Sequence, residues 1–91
     1  MSKSIQPVIV VRADWDDEAS VWVATSSDID GLAAESPTLE GLRDKVLAMI
    51  GELIELNDLH SDLPEIPVYI QAGQTSTVRN PAFAAWGVSP N

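Results

Sequence analysis

The sequence predicts an α+β domain with the element order β-β-β-α-β, a mostly antiparallel sheet with one long helix on one face. Three observations carry this expectation. A β-branched run, "IQPVIVVRADW" (5–15), is followed after a short polar turn by a second, "VWVATS" (21–26). Apolar residues then recur at three- and four-residue spacing across 39–59, the signature of an amphipathic helix. A last β-branched run, "VYIQA" (68–72), stands behind two prolines.

Each element has a local cause. In the first strand Ile9, Val11, Ala13 and Trp15 fall on one side and Val8, Val10, Arg12 and Asp14 on the other, because successive side chains alternate. "DDEAS" is a polar turn, and "VWVATS" returns as the second arm of a hairpin. "SDIDG" is a second turn, where Gly31 is free to take positive φ. "LAAES" (32–36) is a short third strand. Thr38 is placed to cap the helix, its hydroxyl accepting from a first-turn amide. The stripe comprises Leu39, Leu42, Val46, Met49, Ile50, Leu53 and Leu56, and it needs a sheet to cover. Gly41 and Gly51 each weaken the helix by about 1 kcal/mol relative to alanine. Gly51 lies near the stripe, so close packing against the sheet is one explanation for it. The domain is expected to span residues 1–72, with 73–91 as a polar tail interrupted by Phe83 and Trp86.

Composition narrows the function. Ninety-one residues form one small domain, with 14 acidic against 5 basic groups and a net charge of −9. That balance argues against direct nucleic-acid binding, which needs clustered Lys and Arg. The chain has no cysteine, so disulfides, zinc-thiolate sites and thiol catalysis are excluded. The N-terminus reads as the start of a strand rather than a signal peptide, and no apolar stretch approaches membrane-spanning length. A cytoplasmic protein is expected.

Residues 13–36 hold six carboxylates, Asp14, Asp16, Asp17, Glu18, Asp28 and Asp30, with two tryptophans and no Lys or Arg. Asp14, Asp16 and Glu18 have the alternate spacing that opens a calcium loop. The sixth and twelfth positions of that loop would be Ala19 and Thr25 rather than the glycine and glutamate required. A metal-dependent nuclease needs acids fixed on rigid elements, whereas the middle of the first strand is "VIVV" and the acids lie at strand ends and turns. His60, just past the helix, suits the C-terminal dipole and has no second histidine or cysteine to share a site with. Ser20, Ser26 and Ser27 have no base to activate them, and no glycine-rich phosphate loop is present. The expectation is a protein that is not an enzyme and carries no metal and no cofactor.

One helix covers one side of a sheet. If it covers Ile9, Val11 and Ala13, the other face presents Val8 and Val10, joined by Trp22 and Tyr69 if the pairing register allows. Such a face is either an interface or a surface capped by Phe83 and Trp86 of the tail. The partner-binding candidates are therefore Val8, Val10, Trp22 and Tyr69, with Asp14, Asp16, Asp17, Glu18, Asp28 and Asp30 as a polar rim.

The stretch "VRADWDDEASVWVATSSDIDGLAAESPTLEGLRDKV" resembles the HicB-like antitoxin superfamily, in particular a branch of short stand-alone proteins. The shared features are a first strand ending in an acid-rich turn, the "VWVATS" strand and the "SDIDGL" turn. A small strand, a Thr-Leu-Glu helix start and a proline-led final strand follow. The likeness covers roughly residues 8–72, and departs from the family where Asp30 replaces the usual proline and Gly41 the usual glutamate. It implies a degenerate RNase H-like fold without catalytic acids, and a non-enzymatic protein that neutralises a small basic mRNA-cleaving toxin of the HicA type. The 19 residues after Ala72 are too few for the DNA-binding module of full-length HicB proteins. Two further readings stand beside this one. The chain could be a homo-oligomeric structural domain, a dimer or higher, pairing through the apolar face or the first-strand edge. It could also bind a small molecule through Trp15, Trp22 or Trp86, although a sheet with one helix offers little concave volume.

Overall fold

The computed structural model describes residues 3–83. Its elements are β1 (Lys3–Ser4), β2 (Ile9–Asp16), β3 (Val21–Thr25), β4 (Ala33–Ser36), α1 (Leu39–Leu56), β5 (Leu59–His60) and β6 (Val68–Gly73). The main sheet has the order β4-β3-β2-β6, antiparallel except for the parallel β2–β6 pair. This is the expected α+β architecture, with the helix on one face.

The first expected strand, 5–15, is shortened at its N-terminal end. Pro7 has no amide for a ladder, and the main-sheet strand begins only at Ile9. Residues 3–4 instead form a short parallel pair with β5, extended by the Ile5 amide donating to the His60 carbonyl at 2.9 Å. His60 thus lies on a strand rather than at the helix end, where Asn57 is the C-cap and Asp58 takes a positive φ of 52°.

The core is Ile9, Val11 and Ala13 of β2, Ala24 of β3, and Leu42, Val46 and Ile50 of α1, closed by Ile29 and Leu32 from the β3–β4 turn. Thr38 caps the helix as expected, its Oγ1 accepting from the Gly41 amide at 3.0 Å. Leu39 and Leu56, the two ends of the anticipated stripe, are exposed.

The two helix glycines have opposite reasons. A Cβ on Gly41 would stand 2.6 Å from Ser36 Oγ and 3.0 Å from Thr38 Oγ1, so the helix start approaches β4 through the missing side chain. Ser36 is itself buried, and its Oγ accepts from the Thr38 amide. Gly51 faces open space, with nothing within 4 Å of an added Cβ, so close packing against the sheet does not account for it. Gly51→Ala should therefore raise stability by about 1 kcal/mol. Gly41→Ala should lower it, and Ser36→Ala in the same chain should restore part of the loss. Urea unfolding midpoints of the three variants check this.

Candidate functional site: the open face of the sheet

Residues directly opposite one another in neighbouring strands share a face, so the registers decide what the uncovered side presents. Val10 pairs with Tyr69 and Arg12 with Gln71 across the β2–β6 ladder. Arg12 also pairs with Thr25, Asp14 with Val23, and Val23 with Glu35. The open face is therefore graded. One corner is apolar, built from Val10 and Tyr69, 37% and 57% exposed, with Val8, 42% exposed, in the bend just before β2. The middle row, Ala33, Thr25, Arg12 and Gln71, is mainly polar. The far row sets Val23 between Asp14 and Glu35.

Trp22 does not belong to this face. It pairs with Trp15 across β2–β3, in phase with Ala13 and Ala24, and so lies on the helix side. The two indoles meet edge-on, centroids 5.3 Å apart with 62° between planes, and Trp22 packs against the core. Val23, its neighbour, takes the open-face position that Trp22 was expected to fill. An antiparallel strand shifted by one residue exchanges all its side chains between faces, and composition alone does not show which register holds.

The six carboxylates lie in turns at the two ends of the sheet. Asp14, Asp16, Asp17 and Glu18 cluster at the β2–β3 turn, whereas Asp28 and Asp30 lie at the opposite end of the sheet. The separation is about 20 Å, from the six residue steps that lead from Val10 to Asp16 at about 3.3 Å each. Most of these acids also have local partners. Asp16 Oδ1 accepts from the amides of Glu18 and Ala19 and shapes the turn, where Ser20 takes a positive φ of 56°. Asp17 Oδ1 accepts from Trp15 Nε1 at 2.8 Å. Asp14 pairs with Arg12 at 3.3 Å, both exposed, so the pair adds little stability.

Asp28 has the most consequential task. The β2–β3 ladder ends at Arg12–Thr25, which leaves the Val10 backbone without a strand partner on that side. Asp28 Oδ2 accepts from the Val10 amide at 2.8 Å, and Ser26 Oγ donates to the Val10 carbonyl at 2.7 Å. Ser26 Oγ also accepts from the Asp28 amide. Side chains thus extend the ladder by one residue pair, directly behind the apolar corner. Gly31 turns the chain with φ 88°, as its sequence position suggested, and drives Ile29 and Leu32 into the core. The "SDIDGL" turn is a structural clasp: Ser26 and Asp28 hold β2, while Ile29 and Leu32 plug the core.

The other described residues offer no comparable constellation. Among the described residues no three of His, Cys, Asp or Glu are grouped to hold a metal ion. His60 Nε2 lies 3.0 Å from Asp62 Oδ1 on the surface. A hollow of about 520 Å³ lies between the β4 edge and α1, lined by Ala33, Glu35, Lys45, Ala48, Met49 and Glu52 among others. No described helix is long and apolar enough to cross a membrane. The tail does not cover the open face over its described part. Residues 74–83 are all exposed, Phe83 at 65%, and Trp86 lies outside the described residues.

Fold and site together define a small α+β domain that offers one side and one edge of its sheet to solvent. The chain belongs to the family described as a domain of unknown function, DUF1902, whose model matches residues 8–81. It is also similar to the crystal structure of hypothetical protein TTHA1013 from the extremely thermophilic bacterium Thermus thermophilus. The two chains share 40% identity with a TM-score of 0.56, over 80% of this chain and 99% of that one. No curated protein matches the sequence.

Proposed function

We propose that this chain is a HicB-like antitoxin-type protein, non-enzymatic and cytoplasmic, that binds and neutralises a small basic mRNA-cleaving toxin. The observation that carries this reading is the apolar corner Val8–Val10–Tyr69 on a sheet face that the helix leaves uncovered. The corner has interface character, because contiguous apolar surface of this kind is costly to leave in water. The net charge of −9 supplies the attraction to a basic partner. The non-enzymatic part is supported by the local engagement of the acids, which shape turns, hold the Trp15 indole and cap Val10 rather than converge on one point. The HicB-like resemblance of the "SDIDGL" turn and the Thr-Leu-Glu helix start points the same way.

A tagged pull-down from the native host at low salt tests the proposal. The expected catch is a small basic protein in near-equal amount, whose cleavage of mRNA stops when this chain is added. Association should slow by about tenfold or more between low and physiological salt, because the attraction is long-range and screened. Recovery of the bait alone, or a captured protein whose association is indifferent to salt, counts against the antitoxin reading. The bait-alone result would favour the second reading, a homo-oligomeric interaction domain without a toxin, which the unpaired β6 edge supports independently.

A further inference from the structure

The two edges of the main sheet differ in kind. The β4 edge is short, four residues, and is blunted: Pro37 follows it, and Lys45 Nζ donates to the Glu35 carbonyl at 2.8 Å. Natural sheets protect edges in these ways against pairing with another chain. The β6 edge has none of them. From Val68 through Val78 there is no Pro, no Lys and no charge of either sign, and no strand pairs with its outer side among the described residues. β6 runs directly into residues 74–80, which are all exposed, with Val78 at 90%. These residues lie within the segment that the family model matches, which runs to residue 81. A long, uncharged edge continued by an exposed arm is a template for strand addition.

Charge singles out the second strand. The last acidic residue is Glu65, so all 14 acids lie before β6 and only Arg79 is charged after it. In a chain of net charge −9, the segment beyond Glu65 is where two copies can meet without setting carboxylate against carboxylate. We propose that the protein forms a twofold dimer in which β6 and the arm, residues 68–80, pair antiparallel with the same segment of a second copy.

The side chains select a register centred on Gln74. That register places Ile70 opposite Val78 and Tyr69 opposite Arg79 in both halves, as twofold symmetry requires. Ile70 is half-buried on the helix side, so Val78 of the other copy extends the core over its open flank. Tyr69 lies on the open face, where its ring receives the arm's guanidinium. Pro81 ends the ladder. On the open face the arm reaches only Tyr69, so the dimer would still present two copies of Val8 and Val10.

The test uses the full chain. Sedimentation equilibrium should give twice the chain mass, and Thr77→Pro, which removes an amide and fixes φ in the arm, should give a monomer that keeps the helical circular dichroism of α1 and a cooperative unfolding transition. The arm is exposed in the protomer, so this substitution leaves the domain intact. Since the sequence has no cysteine, Gln74→Cys supplies a single thiol about 5 Å, Cα to Cα, from its own symmetry mate. A short bismaleimide should link this variant into dimers and leave Glu52→Cys, on the exposed side of α1, unlinked. A wild-type monomer at high micromolar concentration would overturn the proposal. So would a dimer that survives Thr77→Pro, or one that links through position 52 and not 74. These outcomes are independent of whether a toxin is ever captured.

Discussion

Ile29→Ala is expected to destabilise the domain by about 2–5 kcal/mol, the range for truncating a fully buried Ile or Leu side chain. Ile29 is 1% exposed although it sits in a turn between two carboxylates, Asp28 and Asp30. For a domain of this size the total stability is about 5–15 kcal/mol, so the loss is a large part of it. The melting temperature should fall by about 10 °C or more. Asp30→Ala, one residue away and exposed, should move stability by no more than about 0.5 kcal/mol. Thermal and urea unfolding of the two variants measure the contrast. A loss below about 1 kcal/mol for Ile29→Ala would mean that the "SDIDGL" turn is not the clasp described above, and that its acids are free for another role.

Val10→Lys is expected to weaken binding of the basic partner by about thirtyfold or more, equivalent to about 2 kcal/mol. Two effects act together: the apolar corner loses its centre, and a like charge is set against a basic surface. Val10 is 37% exposed, so a lysine there keeps its ammonium in water, and stability should change by less than about 1 kcal/mol. Dissociation rates measured on the captured toxin report the effect. Trp22→Ala provides the opposite pattern, a loss of stability through the Trp15–Trp22 contact with little change in affinity, because Trp22 faces the helix side. Were Trp22→Ala to release the partner while Val10→Lys did not, the open face would be the wrong surface. Dimer mass is expected to stay constant in Val10→Lys, since the proposed dimer uses the sheet's edge and not its face.

The parts of this structure that were legible in the sequence are those with a local cause. Thr38 caps α1 because a hydroxyl three residues before an amide can reach it. Leu42, Val46 and Ile50 are buried because their spacing puts them on one side of a helix. Gly31 takes positive φ where the turn needs it. The features that were not legible are of another kind. Pro7 divides a run whose β-branched residues look continuous. Ile29 and Leu32 are core residues without periodicity, because a turn carries no repeating pattern from which burial can be read. Gly41 looks like a weak helix position until Ser36, five residues earlier, is seen beneath it. The six carboxylates are close along the chain, yet the hairpin carries Asp28 and Asp30 back to the end opposite Asp16.

By itself the sequence determined the kind and order of α1 and the four main-sheet strands, the cap, the buried stripe of α1 and the acidic balance of the chain, but not the β1–β5 pair. Each depends on residues a few positions apart or on composition. Only the tertiary structure decided that β6 lies parallel beside β2, that Tyr69 joins Val10 while Trp22 turns to the helix, and that no strand among the described residues pairs with the outer edge of β6. Those outcomes depend on which distant strands pair and in which register. A strand's side chains alternate with period two whatever its partner, so a slip of one residue keeps every local preference and reverses every face.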